Sequence, residues 1–335
     1  MSTPARHRLL LDVDTGVDDT IALLYAALHP AVELVGVGAV WGNVEVEQAT
    51  RNSLHALAMA GAPEVPVAAG AAGPLTGGPP VYAHHVHGDD GQGNVGDVDF
   101  AATPAAETAA EQIVRLARWQ PGTIEIVAVG PLTNLALALG LCPELPQLVR
   151  GVTIMGGAAL APGNVTPVAE ANIWCDPEAA HAVFAAPWPL TVVPLDVTMR
   201  TLLTEGHRQS LLEAGGIAAY VGRMLDFYFD FFAAQAFGER SSCMHDVLAV
   251  AIAAGTLRPT LAPTVSATVD TSDGPGRGQT ICDLRGRYQG YPPQEGAHCR
   301  VVLDCDTAFA EPVVELLRAA GPSRIAVRTP EAADA

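Results

Sequence analysis

Short apolar runs rich in β-branched residues alternate along the chain with longer stretches whose apolar positions recur at three- and four-residue spacing. The runs at residues 8–13, 32–40, 65–68, 124–129, 152–155 and 190–195 are nearly continuous in apolar character, as strands buried on both faces must be. Helical stretches at 18–29, 46–60, 104–119, 133–141 and 177–185 lie between them. This β-α alternation predicts an α/β fold, a single domain with a predominantly parallel central sheet flanked by helices. Residues 202–237 read as a further amphipathic helical segment. Its aromatic group, Phe227, Tyr228, Phe229, Phe231 and Phe232, is expected in the core or on a helix-packing surface. The domain is expected to span residues 1–335, with 1–7 and 329–335 as frayed ends.

Polar, glycine-rich residues fall just after the strands: 14–19, Trp41-Gly42-Asn43, 130–134, 155–157 and Asp196. In open α/β sheets the ligand crevice lies outside the carboxyl ends of the strands, so these segments can converge on one site. The long loop 70–100 carries His84, His85, His87, Asp89 and Asp90, and a loop of that length in a compact domain is a lid or a binding loop.

Composition narrows the chemistry. With 335 residues and 49% hydrophobic content the chain can bury a large core. A formal charge of −18 repels nucleic-acid backbones and anionic membranes, which leaves a small neutral or cation-bound ligand as the expected partner. All 18 basic residues are Arg, and without any Lys the chain cannot form a pyridoxal or aldolase Schiff base or a Walker-A phosphate cradle. The six Cys include no C-x-x-C pair and read as reduced thiols. No signal-peptide core and no membrane-length apolar run is visible, so a cytoplasmic protein is expected.

The motif Asp12-Val13-Asp14-Thr15-Gly16-Val17-Asp18-Asp19 puts four carboxylates at a strand end and a helix start. Four such groups cannot all ionise in a dry crevice without a cation. Oxygen-only ligands favour calcium or magnesium over zinc, and crowded carboxylates suit the geometrically tolerant calcium. The competing view is that Asp18 and Asp19 only compensate the dipole of a helix N-terminus.

This motif resembles the D-x-D-x-G-x-D-D signature of the inosine-uridine preferring nucleoside hydrolase family. The resemblance continues, in order, through residues 41–44, 87–91, 130–134 and 154–157, then 163–173, 176–180 and His245-Asp246. It implies hydrolysis of the N-glycosidic bond of ribonucleosides to free base and ribose, in purine or pyrimidine salvage. It further implies a calcium-bound water activated by Asp14, with Asp14, Asp19, Asp246 and the Val129 carbonyl as metal ligands. Asp18, Asn43, His87, Met155, Asn164, Glu170 and Asn172 are implied to bind the ribose, His245 to protonate the leaving base, and Asp12 to support the cluster. A homodimer or homotetramer is implied as well. The chain departs from the family pattern at Ala171, where an aromatic is common, at Val129, where Thr is frequent, and at Val247, where Pro is common; these leave the base preference open. Tyr228 and Gln235 are candidates for base contacts.

Two other functions remain compatible with the residues. Leu11-Asp12-Val13-Asp14-Thr15 also imitates the D-x-D-x-T of haloacid-dehalogenase-like phosphatases, with Asp12 as nucleophile, although that chemistry normally uses a Lys that is absent here. A non-catalytic, calcium-dependent nucleoside- or sugar-binding protein would keep the same ligands. A zinc site at His84-His85-x-His87 lacks a spaced acidic or thiol partner, and Cys243 near His245 is a weak candidate for a thiol nucleophile.

Overall fold

The structure, a computed structural model, describes residues 6–96, 100 and 103–323. Strand β1 (His7–Val13) shows how the pattern becomes architecture. Leu9, Leu11 and Val13 point into one core cluster and Leu10 into another, so successive side chains feed the two faces of a sheet covered on both sides. The chain continues through α1 (Val17–Leu28), β2 (Val32–Ala39), α2 (Val46–Ala60), β3 (Val67–Ala69), α3 (His84–His87) and α4 (Ala109–Trp119). Next come β4 (Ile124–Ala128), α5 (Thr133–Leu141), α6 (Leu145–Leu148), β5 (Gly151–Met155), α7 (Ala171–Cys175), α8 (Pro177–Ala185), β6 (Leu190–Val193) and α9 (Leu195–Thr198). The last third holds β7 (Leu202–Thr204), α10 (Glu205–Ala214), α11 (Gly216–Phe232), a π-helical turn (Ala233–Phe237), β8 (Ser241–Cys243) and α12 (His245–Ala253). It closes with β9 (Thr264–Val265), β10 (Ala267–Val269), β11 (Thr280–Cys282), β12 (Cys299–Val301) and α13 (Ala310–Ala319).

Eight strands form the central sheet in the order β3-β2-β1-β4-β5-β6-β12-β9, and every neighbouring pair is parallel except β12 with β9. The chain winds outward from β1 to β3, then returns to start β4 on the other side of β1. That reversal opens a crevice at the carboxyl ends of β1 and β4, the topological switch point of the sheet. Asp14 follows β1 and Val129 follows β4, so both stand at the crevice.

Several boundaries differ from the sequence expectation for local reasons. His7 pairs with Val32 and begins β1 rather than fraying, while residues 1–5 and 329–335 lie outside the described residues. The helix expected from 104 starts at Ala109, because Thr108 and Glu111 form a reciprocal capping box. The strand expected to reach 195 stops before Pro194, which has no N–H to give the ladder. The single helical segment expected over 202–237 is divided. Residues 202–204 pair with β8, Thr204 caps α10, and the chain breaks at Gly215 and Gly216 with φ of 74° and 56°. No described helix is long and apolar enough to cross a membrane.

The buried polar residues on the sheet face opposite α1 are held by Asn134. Its amide donates to Asp12 (2.8 Å) and to the Ala39 carbonyl (3.0 Å) and accepts from the Ala71 N–H (2.9 Å). Asp12 is fully buried, and burial lifts its pKa to about 7 although the Asn134 bond pulls the other way. Asn134→Ala strands two buried acceptors and the part-buried Ala71 N–H, and is expected to destabilise the fold by about 2–4 kcal/mol. Denaturant unfolding checks this, and a change under 1 kcal/mol would contradict it.

Candidate active site

At the switch point the main chain comes close enough to clamp carboxylates. Asp14 Oδ2 accepts from the Asn43 N–H at 2.8 Å, and a Cβ on Gly42 would stand 2.1 Å from that oxygen, so only glycine fits there. Asp19 Oδ2 accepts from the Gly16 N–H (2.8 Å) and the Asn43 side-chain amide (3.0 Å), while its Oδ1 accepts from the Asp14 N–H (3.2 Å). Thus Asp19 does serve the start of α1, as the dipole argument holds, and it is also part of an acidic floor. Asp18 accepts from the Tyr228 hydroxyl at 3.0 Å.

Asp246 arrives from the first turn of α12 and completes the floor. Ligand oxygens of Asp18, Asp19 and Asp246 lie within 4.8 Å of one another, and all three residues are buried. The expectation from sequence gave the third carboxylate to Asp14 and reserved Asp18 for ribose. In the structure Asp14 leans toward Asn43 and Asp18 joins the trio, a difference of side-chain orientation within one cluster.

The energetics are compatible with a bound cation. Burial, then the charge of Asp19, raises the Asp14 pKa well above its ordinary value; burial, then the charge of Asp18, raises Asp19 to about 7. Burial followed by the charges of Asp18, Asp19 and Asp14 raises Asp246 strongly. Asp14 Oδ1 and Asp18 Oδ1 are buried with no hydrogen-bond partner. Unpaired carboxylate oxygens among like charges are what a metal ion satisfies. The donor set therefore fits a metal ion.

Above the floor lies a cleft of ≈ 410 Å³. Asp18, Asn43, His87, Val129, Met155, Asn164, Glu170, Asn172, His245 and Asp246 all line it, whereas Asp14 and Asp19 do not. Asn172 donates to the Val129 carbonyl (2.7 Å) and the Met155 carbonyl (3.2 Å), tying the ends of β4 and β5 together. Asn164 accepts from the Ala171 N–H at 3.0 Å. Glu170 accepts from the N–H groups of Asn172 (3.0 Å), Gly157 (2.9 Å) and Ile173 (3.2 Å). It is thus first of all the N-cap of α7, a duty that its place in the sequence does not reveal. Burial still lifts its pKa to about 7.

The two cleft histidines are held differently. The Val17 N–H donates to His87 Nδ1 at 3.1 Å, and since an amide can only donate, the proton of this imidazole sits on Nε2. Burial drives the His87 pKa down to about 3, so its 3.7 Å approach to Asp18 is a contact of a neutral ring. His245 Nδ1 lies 2.8 Å from Thr198 Oγ1. Burial lowers the His245 pKa and the Asp18 charge opposes that shift.

The opposite wall comes from α11 and the turn after it. Tyr228, Phe231, Phe232 and Gln235 line the cleft, while Phe229 is fully buried in the core. The expectation that the aromatic group sits in the core or on a packing surface thus holds for Tyr228, Phe229 and Phe232, with Phe231 packed against them, but it did not foresee that Tyr228, Phe231 and Phe232 also line the cleft. Their spacing of i, i+3, i+4 and i+7 marks a single helix face and was the available signal. His85 also lines the cleft, with its ring 5.8 Å from Phe231. His84 stands beside Glu45 and Asp89, and no described His or Cys belongs to a metal-competent group. Cys243 is buried outside the cleft lining and its thiol pKa is pushed up by burial, so it is no nucleophile. Asp12, the phosphatase nucleophile in the rival reading, faces Asn134 and does not line the cleft.

Carboxamides suited to hydroxyls share one cleft with buried carboxylates and two buried imidazoles, an arrangement that fits an N-ribosyl hydrolase. The chain belongs to the inosine-uridine preferring nucleoside hydrolase family, whose model matches residues 9–311. It is 40% identical over 246 residues to a probable uridine nucleosidase 1 of Oryza sativa, covering 72% of this chain and 74% of that one. It is 36% identical to the non-specific ribonucleoside hydrolase RihC of Escherichia coli, over 93% of this chain and 98% of the relative. A purine-preferring ribonucleoside hydrolase from Gardnerella vaginalis has the same fold, with a TM-score of 0.85 and 33% identity, covering 95% of this chain and all of the other. The names of these relatives give uridine, no specificity and a purine preference, so membership of the family does not settle which base is cleaved.

Proposed function

We propose that the chain releases ribose from ribonucleosides with calcium as its metal, held by Asp14, Asp19, Asp246 and the Val129 carbonyl, with Asp18 beside it. The observation that carries this reading is the pair of unpaired, buried oxygens on Asp14 and Asp18 beside two further carboxylates at the switch point. Calcium accepts six to eight oxygen ligands without strict geometry, which suits so crowded a set. When bound, such an ion acidifies a water in its shell.

Asp14 then takes the proton of the attacking water, a task for which an unpaired and desolvated carboxylate oxygen is suited. Ribose is positioned by Asp18, Asn43, His87, Asn164, Glu170 and Asn172, with Met155 packed against it. His87 can only donate to the sugar, because Nε2 carries its proton. As the C1′–N bond breaks the sugar becomes cationic, and the anionic floor opposes that charge. His245 delivers a proton to the departing base, which lies against the wall made by Tyr228, Phe231, Phe232 and Gln235. A cytoplasmic homodimer or homotetramer completes the proposal.

A reducing-sugar assay on inosine, uridine, cytidine, adenosine and nicotinamide riboside tests it. Ribose is expected from at least one nucleoside with calcium present. The rate is expected to fall at least about 100-fold on chelation and to return with calcium. A protein that binds nucleoside without releasing ribose, or releases it equally well in chelator, would sink the reading.

A further inference from the structure

His245 is anchored at two points, and both lead to the segment after β6. Its backbone is placed by β8, which pairs with β7 from Leu202↔Cys243 to Thr204↔Ser241, and by the Met244 N–H, which donates to the Thr201 carbonyl at 3.0 Å. Its ring is placed by Thr198, the last residue of α9 and fully buried, whose Oγ1 lies 2.8 Å from Nδ1. Helix α9 is itself pinned, because the Asp196 carboxylate accepts the N–H groups of Ala159 (2.9 Å), Leu160 (2.8 Å) and Ala161 (3.2 Å). Thr198 does not line the cleft and His245 does, so Nε2 is the nitrogen left for a ligand.

A hydroxyl can either donate to Nδ1 or accept from it. The chemistry selects between the two. If Thr198 donated, Nε2 would hold the only ring proton, and passing it to the base would leave an imidazolate. If Thr198 accepts, an imidazolium gives its Nε2 proton to the base, the C1′–N bonding pair leaves with the base, and His245 ends as the neutral Nδ1–H imidazole. We propose that Thr198 is a positioning residue for the reaction: its hydroxyl accepts from His245 Nδ1–H and so reserves Nε2 for proton delivery to the leaving base. This rests on the reading of His245 as the proton donor.

Leaving-group dependence tests it. Nucleosides need the base protonated as it leaves, whereas 4-nitrophenyl β-D-ribofuranoside releases a stable phenolate. Thr198→Val is expected to lower kcat on the best nucleoside by about 10- to 100-fold with little change in KM, and to change nitrophenol release by less than about threefold. Thr198→Ser is expected to keep both rates. Equal losses on both substrates, no loss on the nucleoside, or failure of Ser to restore it would each overturn the proposal.

Should Thr198→Val not fold, the wild-type protein still decides the matter. Its ¹⁵N histidine spectrum is expected to show neutral His245 as the Nδ1–H form, and an Nε2–H form would overturn the assignment. A His245→Ala variant with equal losses on both substrates would defeat the underlying reading, while the tautomer would still report what Thr198 does.

Discussion

Asp14→Asn is expected to lower kcat on every accepted nucleoside by about 1,000-fold or more while leaving the protein folded. The substitution is nearly isosteric. It preserves the space that Gly42 leaves and an oxygen to accept from the Asn43 N–H, so the strand-end geometry has no reason to move. It removes the basic oxygen and one of the charges in the floor. Asp12→Asn makes an instructive partner, because Asp12 is two residues away on the far face of the sheet and bonded to Asn134. That variant should shift stability and spare turnover. Steady-state kinetics on both variants, with circular dichroism to verify folding, separates them. If Asp14→Asn stayed within tenfold of wild type while Asp12→Asn was inactive, the assignment of the base would be lost and the phosphatase-like chemistry would return.

The second large effect is on stability. Burial and the Asp18 charge push the Asp19 carboxyl up to about 7 from an ordinary 3.8, and burial raises Asp14 and Asp246 in the same direction. A raised carboxyl pKa means that the folded state holds protons the unfolded chain has released. These groups therefore favour the fold most below about pH 4, and that contribution is lost as pH climbs through about 7. For one such group the loss approaches about 4 kcal/mol, of the order of the whole stability of many domains. A bound cation removes the penalty by offsetting the charge. Without divalent ion, Tm is expected to fall by about 10 °C between pH 5 and pH 8. Calcium should raise Tm only slightly at pH 5 and by about as much as was lost at pH 8. Calorimetry at the two pH values, with and without chelator, measures it; an equal calcium shift at both would contradict the electrostatic account.

The elements that bear most of the site were legible because local rules and tertiary demands agree there. The run 124–129 ends where glycine and proline begin, so the end of β4, and with it Val129, is legible in the sequence. Helix α2 likewise matches its expected span of 46–60. Other features depended on partners distant in sequence. Strand β12 is only Cys299–Val301, sits in a segment without a sustained apolar run, and owes its existence to pairing with β6 and β9. The capping role of Glu170 could not be read, since it accepts from the Asn172 and Ile173 N–H groups although Glu is not among the usual N-cap residues. Whether Asp14 or Asp18 stands nearest Asp19 and Asp246 is a matter of rotamers, which residue types do not encode. The cleft face of α11 was encoded in its spacing, but a core face has the same period.

The acidic floor draws on positions 14, 18, 19 and 246, with a backbone carbonyl at 129, so it is assembled from nearly the whole span of the β-α winding. A growing chain that has only reached the first motif offers an ion a flexible acidic peptide and nothing more. Affinity arises after α12 has been made and docked against α1. On the metal-binding reading proposed above, the ligand set is complete only once residue 246 is in place, and a chain cut short before it would hold the carboxylates of the first motif without their distant partner.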